Sequence, residues 1–298
     1  MAGGAFSAPR SAATLVGFGA VLMWSSLALL TASSGQVPPF QLAAISFAIG
    51  GGIGAATWAV RPGAMRALRQ PPEVWALGVG GLFGYHALYF TALRLAPPAE
   101  AGLINYLWPL LIVLLSGLLP QERLKPHHLA GAFLGLIGTI VLVASRAHLG
   151  FAEADTPGFA AAFVAAFVWA IYSVLSRQFA TVPTDVVAAF CLLTAALAAV
   201  CHLAFEETVW PAGAREWLAT VGLGLGPVGL AFYAWDIGVK RGDIRVLGAA
   251  SYAAPVLSTL LLVLAGFAEA TASLAAAAVL IAGGGLLAAK DLLFRSRS

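Results

Sequence analysis

Ten apolar runs, each close to twenty residues long and separated by short polar connections, dominate this 298-residue chain. A helix crosses a bilayer with about 20 mostly apolar residues. The runs lie near residues 12–32, 38–60, 73–94, 99–119, 127–145, 157–177, 184–205, 216–239, 245–265 and 272–292. Hydrophobic residues make up 60% of the chain and charged residues 10%, where soluble domains carry roughly 45–50% and 25%. So little polar surface cannot cover the outside of a water-soluble fold, and lipid must solvate the chain. The expected fold is an all-α integral membrane protein of ten transmembrane helices with no extramembrane domain. The first run follows Arg10 and could pass for a signal peptide. With nine runs behind it and no clean cleavage site, it reads as the first span.

Lys and Arg set the orientation of such a chain. Taking the N-terminus as side one, that side holds Arg10, Arg61, Arg66, Arg69, Arg123, Lys125, Arg177, Lys240, Arg241, Arg245, Lys290, Arg295 and Arg297. Side two holds only Arg94, Arg146 and Arg215. Thirteen basic residues against three places both termini in the cytoplasm. The pI near 9.1 does not point to nucleic acid, since the net charge is only +3. The basic residues sit between apolar runs, where a membrane–water boundary needs them.

Self-comparison reveals a repeat. Trp24 in the first run matches Trp169 in the sixth, and Val37-Pro38 matches Val182-Pro183, at an offset of 145 residues. At an offset of 146, Gly102, Tyr106 and Pro109 match Gly248, Tyr252 and Pro255; Arg94 matches Lys240 and Tyr89 matches Trp235. Glu122 corresponds to Glu269 with one further residue inserted. Two units follow, residues 1–150 and 151–298, each of five spans. An odd number of spans makes the second copy enter the membrane from the opposite side. Inverted repeats of this kind mark secondary transporters, whose substrate site lies between the halves near the midplane.

Polar and amphipathic residues deep in a span point to a partner helix or a cavity. The third run carries Tyr85, His86 and Tyr89, with Tyr89 beside both others on one helical face. The fourth offers Asn105 and Trp108 before Pro109, and the ninth Ser251 and Tyr252 before Pro255. The two prolines remove backbone hydrogen bonds and are expected to kink or break their helices, freeing carbonyls for a ligand. Trp24, Tyr85, Tyr89, Trp108, Trp169, Tyr172 and Trp235 form an interior aromatic set suited to an aromatic or cationic guest. The same residues are also what a close-packed core would use. Asp236, four residues before Lys240, reads as a helix-surface ion pair. No other carboxylate is expected deep in a span, which leans toward facilitated diffusion. His86 is either a hydrogen-bond partner or a proton carrier.

Other features exclude more than they suggest. Cys191 and Cys201 are ten helical residues apart, about 15 Å, too far for a disulfide. His127-His128 has no cysteine or carboxylate near it in sequence, so no metal site is expected. Gly50-Gly51-Gly52 lacks the Lys-Ser/Thr of a phosphate loop, which speaks against ATP-driven transport by this chain. No cofactor is implied. Gly80/Gly84, Gly131/Gly135 and Gly222/Gly226 have the spacing that lets helices approach closely.

The segment "YFTALRLAPPAEAGLINYLWPLL…LLPQERL" from Tyr89 to Leu124, and its later copy "GAASYAAPVLSTLLLVLAGFAEA", resemble the EamA-type members of the drug/metabolite transporter superfamily. The second copy keeps the Pro and Glu but lacks the Ala-Leu pair. Within that group, "GYHALYFTAL" and "INYLWPLLIVLLS" are most similar to the bacterial YddG-type aromatic amino-acid exporters. The resemblance implies export of Phe, Tyr, Trp and similar small molecules across the bacterial inner membrane through a cavity lined from both halves. It implies substrate-binding roles for Tyr85, His86, Tyr89, Trp108, Trp169 and Ser251; Trp24 and Asn105 join them on helix position alone. A monomer, alternating access by rocking of the two halves, and no enzymatic activity are expected. The competing readings are a multidrug exporter of aromatic cations, which would want acidic cavity residues, and a membrane-embedded lipid-modifying enzyme, which would want a carboxylate beside His86. A non-transporting receptor or assembly factor is a further reading, which the short loops disfavour.

Overall fold

Proline opens four successive spans. Pro39, Pro72, Pro98 and Pro126 each stand at the first helical position, where the missing N–H is no loss and the fixed φ already suits a helix. In a computed structural model of the protein, describing residues 9–120, 122–145, 152–266 and 269–294, ten helical spans result. They are α1 (Arg10–Ser33), α2 (Pro39–Ala59), α3 (Pro72–Leu95), α4 (Pro98–Ser116), α5 (Pro126–Ala144), α6 (Glu153–Phe179), α7 (Val186–Phe205), α8 (Ala214–Arg241), α9 (Ile244–Leu264) and α10 (Ala272–Ala288). Nine are long and apolar enough to cross a membrane, and α10 is a shorter apolar helix. The orientation-setting residues Arg146, Arg295 and Arg297, and the boundary between the units at 150/151, lie outside the described residues.

Side chains such as Leu15, Leu203, Leu218 and Val279 lie on the outside, more than two-thirds exposed. A bilayer supplies their solvent.

The halves interlock. α1 packs on α8 and α3 on α6, while α2, α4 and α5 pack on their own repeat counterparts α7, α9 and α10. Close approach of backbones makes this possible. A Cβ added to Gly17 of α1 would sit 2.8 Å from the Cα of Gly238 in α8. One added to Gly131 of α5 would meet the carbonyl oxygen of Gly284 in α10 at 2.5 Å. Of the three glycine pairs marked by spacing, only Gly131/Gly135 serves such contact. Gly80 and Gly226 face open space, and Gly84 and Gly222 have only side-chain neighbours at 3.4 Å or beyond.

Both prolines break their helices as expected. α4 is interrupted at Tyr106-Leu107, before Trp108–Ser116 resumes the helix with Pro109 in its first turn. α9 is interrupted at Ser251-Tyr252, before Ala253–Leu264 resumes it with Pro255 in its first turn. Two further breaks carry no repeat signal. α1 is interrupted at Ser26, and α8 widens to a π-helical turn over Gly226–Leu230. Such turns recur at functional sites.

Candidate substrate cavity

Six spans, four of them broken, line one cavity. Trp24 and Leu27 come from α1, Tyr85, His86 and Tyr89 from α3, and Asn105, Tyr106 and Trp108 from α4. Trp169 comes from α6, Pro227, Val228 and Phe232 from α8, and Ala254 from α9. Its volume is about 140 Å³; an apolar protein cavity of about 150 Å³ accepts benzene. The space therefore suits a single aromatic ring.

The floor is an aromatic cluster centred on Trp24. Its ring centroid lies 5.0 Å from Trp235, 5.6 Å from Trp169 and 6.1 Å from Trp108, the last two edge to face. Its Nε1–H donates to the carbonyl of Pro227 at 3.0 Å, in the π-helical turn of α8. Indole N–H groups need a partner when they leave water, so the widened turn fixes the ring that walls the cavity.

The polar lining is neutral. Tyr85 stacks on Tyr89 at 5.9 Å with ring planes 16° apart, and accepts a hydrogen bond from Asn105 Nδ2 at 3.0 Å. His86 donates Nδ1–H to the carbonyl of Leu82, four residues earlier, at 2.7 Å. Among the described residues, no Lys, Arg, Asp or Glu lines the cavity.

Seven of the eight residues singled out from sequence thus meet in one place: Trp24, Tyr85, His86, Tyr89, Asn105, Trp108 and Trp169. Ser251 does not reach the lining; it is fully buried at the α9 break, donating to the carbonyl of Leu247 at 2.7 Å. Tyr172 and Trp235 stand behind the wall, Trp235 donating to Ser173 at 3.0 Å. Sequence reading passed over Tyr106 and Phe232. Tyr106 already stood out as the repeat partner of Tyr252. Phe232 precedes Trp235 by one helical turn and stacks on Phe47 at 5.3 Å.

Two ionic readings change. Asp236 and Lys240 form a 2.8 Å pair that is buried, not on the helix surface. The α6–α7 connection covers it: Thr184 donates to Asp236 at 2.7 Å, and Lys240 to the Val182 carbonyl at 3.0 Å. His127 and His128 do gain a carboxylate, Asp291 from the far end of the chain, with ligand atoms within 4.8 Å of one another. A metal is not favoured there. His128 Nδ1 accepts the Lys125 backbone N–H, which leaves the proton on Nε2, and Lys125 Nζ occupies Asp291 at 2.6 Å. That ammonium, with His127 beside it, holds the Asp291 carboxyl below the usual range.

At the side-one ends of the spans, charges from both halves converge. Glu122 after α4 meets Arg10 of α1 at 2.7 Å, Arg177 of α6 at 2.6 Å and Arg245 of α9 at 3.3 Å. Asp243, between α8 and α9, meets Arg245 at 2.6 Å and Arg10 at 3.2 Å. Arg177 also donates to the carbonyls of Val239 and Gly242, and Arg245 to that of Arg123. Both carboxylates are almost wholly buried. Burial pushes the Asp243 carboxyl up, but hydrogen bonds from Arg245 and the charges of Arg10 and Arg245 outweigh it and hold it below the ordinary range.

Comparison with known proteins meets this geometry. A family model described as the EamA-like transporter family matches twice, over residues 11–144 and 156–289. The chain belongs to that family. One match falls in each half of the chain, and together they make it a multi-pass membrane protein of a transporter family. The chain is similar to the aromatic amino acid exporter YddG of Ancylobacter novellus, 62% identical over 280 residues, covering 94% of this chain and 97% of the relative. It is 26% identical over 296 residues to the exporter of the same name from Escherichia coli K12, covering 93% and 97%. A solved crystal structure 61% identical in sequence superposes with a TM-score of 0.91, covering 96% of this chain and 98% of that one. With this EamA-family fold, the resemblance read from the Tyr89–Leu124 segment is borne out.

Proposed function

We propose that the chain exports aromatic amino acids and similar small metabolites across the bacterial inner membrane, without ATP, by alternating access to the central cavity. One observation carries the reading. A cavity sized for a single ring is walled by Trp24, Tyr85, Tyr89, Trp108, Trp169 and Phe232, with no charged side chain among the described lining residues. Such a wall rewards a flat π system. The names of the relatives support the same substrate class. Trp24, Tyr85, His86, Tyr89, Asn105, Trp108 and Trp169 hold the substrate, while Ser251 shapes the α9 break beside it. The excess of basic residues on side one supports cytoplasmic termini. In that orientation the buried charge cluster lies at the cytoplasmic end.

Purified protein in liposomes is expected to move labelled Phe or Trp down its gradient with no nucleotide present. Folded protein giving no flux above empty liposomes overturns the proposal. Repeating the assay under a proton gradient with His86→Gln assigns the histidine. Here His86 is a hydrogen-bond partner, so any gradient dependence is expected to survive the change.

With no carboxylate among the described lining residues, an aromatic-cation exporter is disfavoured. His86, whose ring contacts are the Leu82 carbonyl and aromatic side chains, offers no catalytic pair for a lipid-modifying enzyme.

A further inference from the structure

One polar atom of the cavity wall stands out for what it lacks. Asn105 is 5% exposed, and while its Nδ2 donates to Tyr85, its Oδ1 is buried with no hydrogen-bond partner. Buried amide oxygens are almost always paired, because an unmade bond costs the full desolvation of the atom. Packing alone gives no reason for the residue. Asn105 ends the first segment of α4, immediately before the Tyr106-Leu107 break, where leucine would fill the space without that cost.

A second, independent acceptor lines the same cavity. The Leu82 carbonyl can only accept, so His86 must carry its proton on Nδ1. In a neutral ring that leaves Nε2 as a bare acceptor, and it makes no hydrogen bond to a described residue. Two neutral acceptors, set among the π faces of Trp24, Tyr85, Trp108 and Trp169, make an environment that attracts a cationic N–H donor. The same pair repels a carboxylate placed against it.

We propose that Asn105 Oδ1 receives the ammonium group of the substrate, with His86 Nε2 as the second acceptor, so that the cavity selects aromatic amines over their deaminated analogues. This rests on the reading above that the cavity holds an aromatic ring. The ring supplies apolar burial common to all such guests, and Asn105 reads the substituent that distinguishes them.

Binding of three indole probes to the full-length transporter tests it: tryptophan, tryptamine, which lacks the carboxylate, and indole-3-propionate, which lacks the amine. Asn105→Leu keeps the bulk and deletes the acceptor. It is expected to weaken tryptophan and tryptamine by about tenfold or more, as loss of a charge-assisted hydrogen bond does, and to leave indole-3-propionate within about twofold. Asn105→Asp makes both terminal atoms acceptors, removes any question of which way the amide points, and is expected to raise the preference for tryptamine over indole-3-propionate. Equal weakening of all three probes by Asn105→Leu, or an unchanged preference in Asn105→Asp, overturns the assignment and leaves the aromatic cavity standing. Failure of the unaltered protein to bind any of the three sinks both.

Discussion

At the side-one end, Arg10, Arg177 and Arg245 converge on Glu122 and Asp243. The repeat places Asp155, Ala32 and Ala99 opposite those arginines on side two, and Glu269 and Pro97 opposite the carboxylates. None of those aligned side-two positions carries an arginine. What side two has is Glu206, which accepts from the N–H groups of Phe40 and Gln41 at the start of α2, from Arg94 at 2.7 Å, and lies 3.1 Å from His202. That arrangement caps one helix and ties α7 and α3 to it. One end therefore joins four spans from both halves through buried charge, while the other holds a helix end in place. The two ends are related by the repeat, yet the residues now on them make one a buried charge cluster and the other a helix cap.

The sharpest way to break this comparison is Glu122→Gln. It leaves three guanidinium groups with Asp243 as their only remaining carboxylate among the described residues, and removing one member of a buried charge cluster costs about 3–5 kcal/mol. A large fall in melting temperature in detergent is expected, together with greater accessibility of the side-one end to thiol reagents at an introduced cysteine. An unchanged melting temperature would show that the cluster does not hold that end together.

Next comes pH. Asp243 has its folded carboxyl value depressed. Its stabilising contribution is therefore complete above the unfolded value of about 4 and is lost as pH falls through the lower folded value. Melting temperature measured on the acid side should drop across that window, and Asp243→Asn should flatten the drop while lowering stability at neutral pH.

The smallest effect belongs to the other end. Glu206→Gln keeps an acceptor for one backbone N–H and faces a single, 43% exposed arginine, so a loss of about 1–2 kcal/mol is expected. A Glu206 variant as damaging as the Glu122 one would erase the asymmetry.

Much of the fold was legible because it is written in short-range signals. Run length, Pro39, Pro72, Pro98 and Pro126 at helix starts, and the breaks before Pro109 and Pro255 depend on a residue and its neighbours. The cavity residues were legible for a related reason: Tyr85, His86 and Tyr89, or Asn105 and Trp108, share a helix face. The charge cluster was not. Its members lie far apart in the chain, and each reads alone as an ordinary charge at a span end. Asp236 was misplaced because Val182 and Thr184, which cover it, belong to another element. Asp291 was invisible to His127 until α10 folded back along α5.

The contact of Gly17 with Gly238 has a consequence for how the chain is made. Those residues stand about 220 positions apart, which at bacterial and eukaryotic synthesis rates is on the order of 10–40 s. For that interval α1 sits in lipid with its docking surface bare, Trp24 without the Pro227 carbonyl and Arg10 without Asp243. Neither half is a unit that finishes before the other begins. Ribosome pausing or early termination anywhere before α8 therefore leaves an orphaned helix for the membrane's quality-control proteases, and two separately synthesised halves should recover the native protein only when both are present together in the same bilayer.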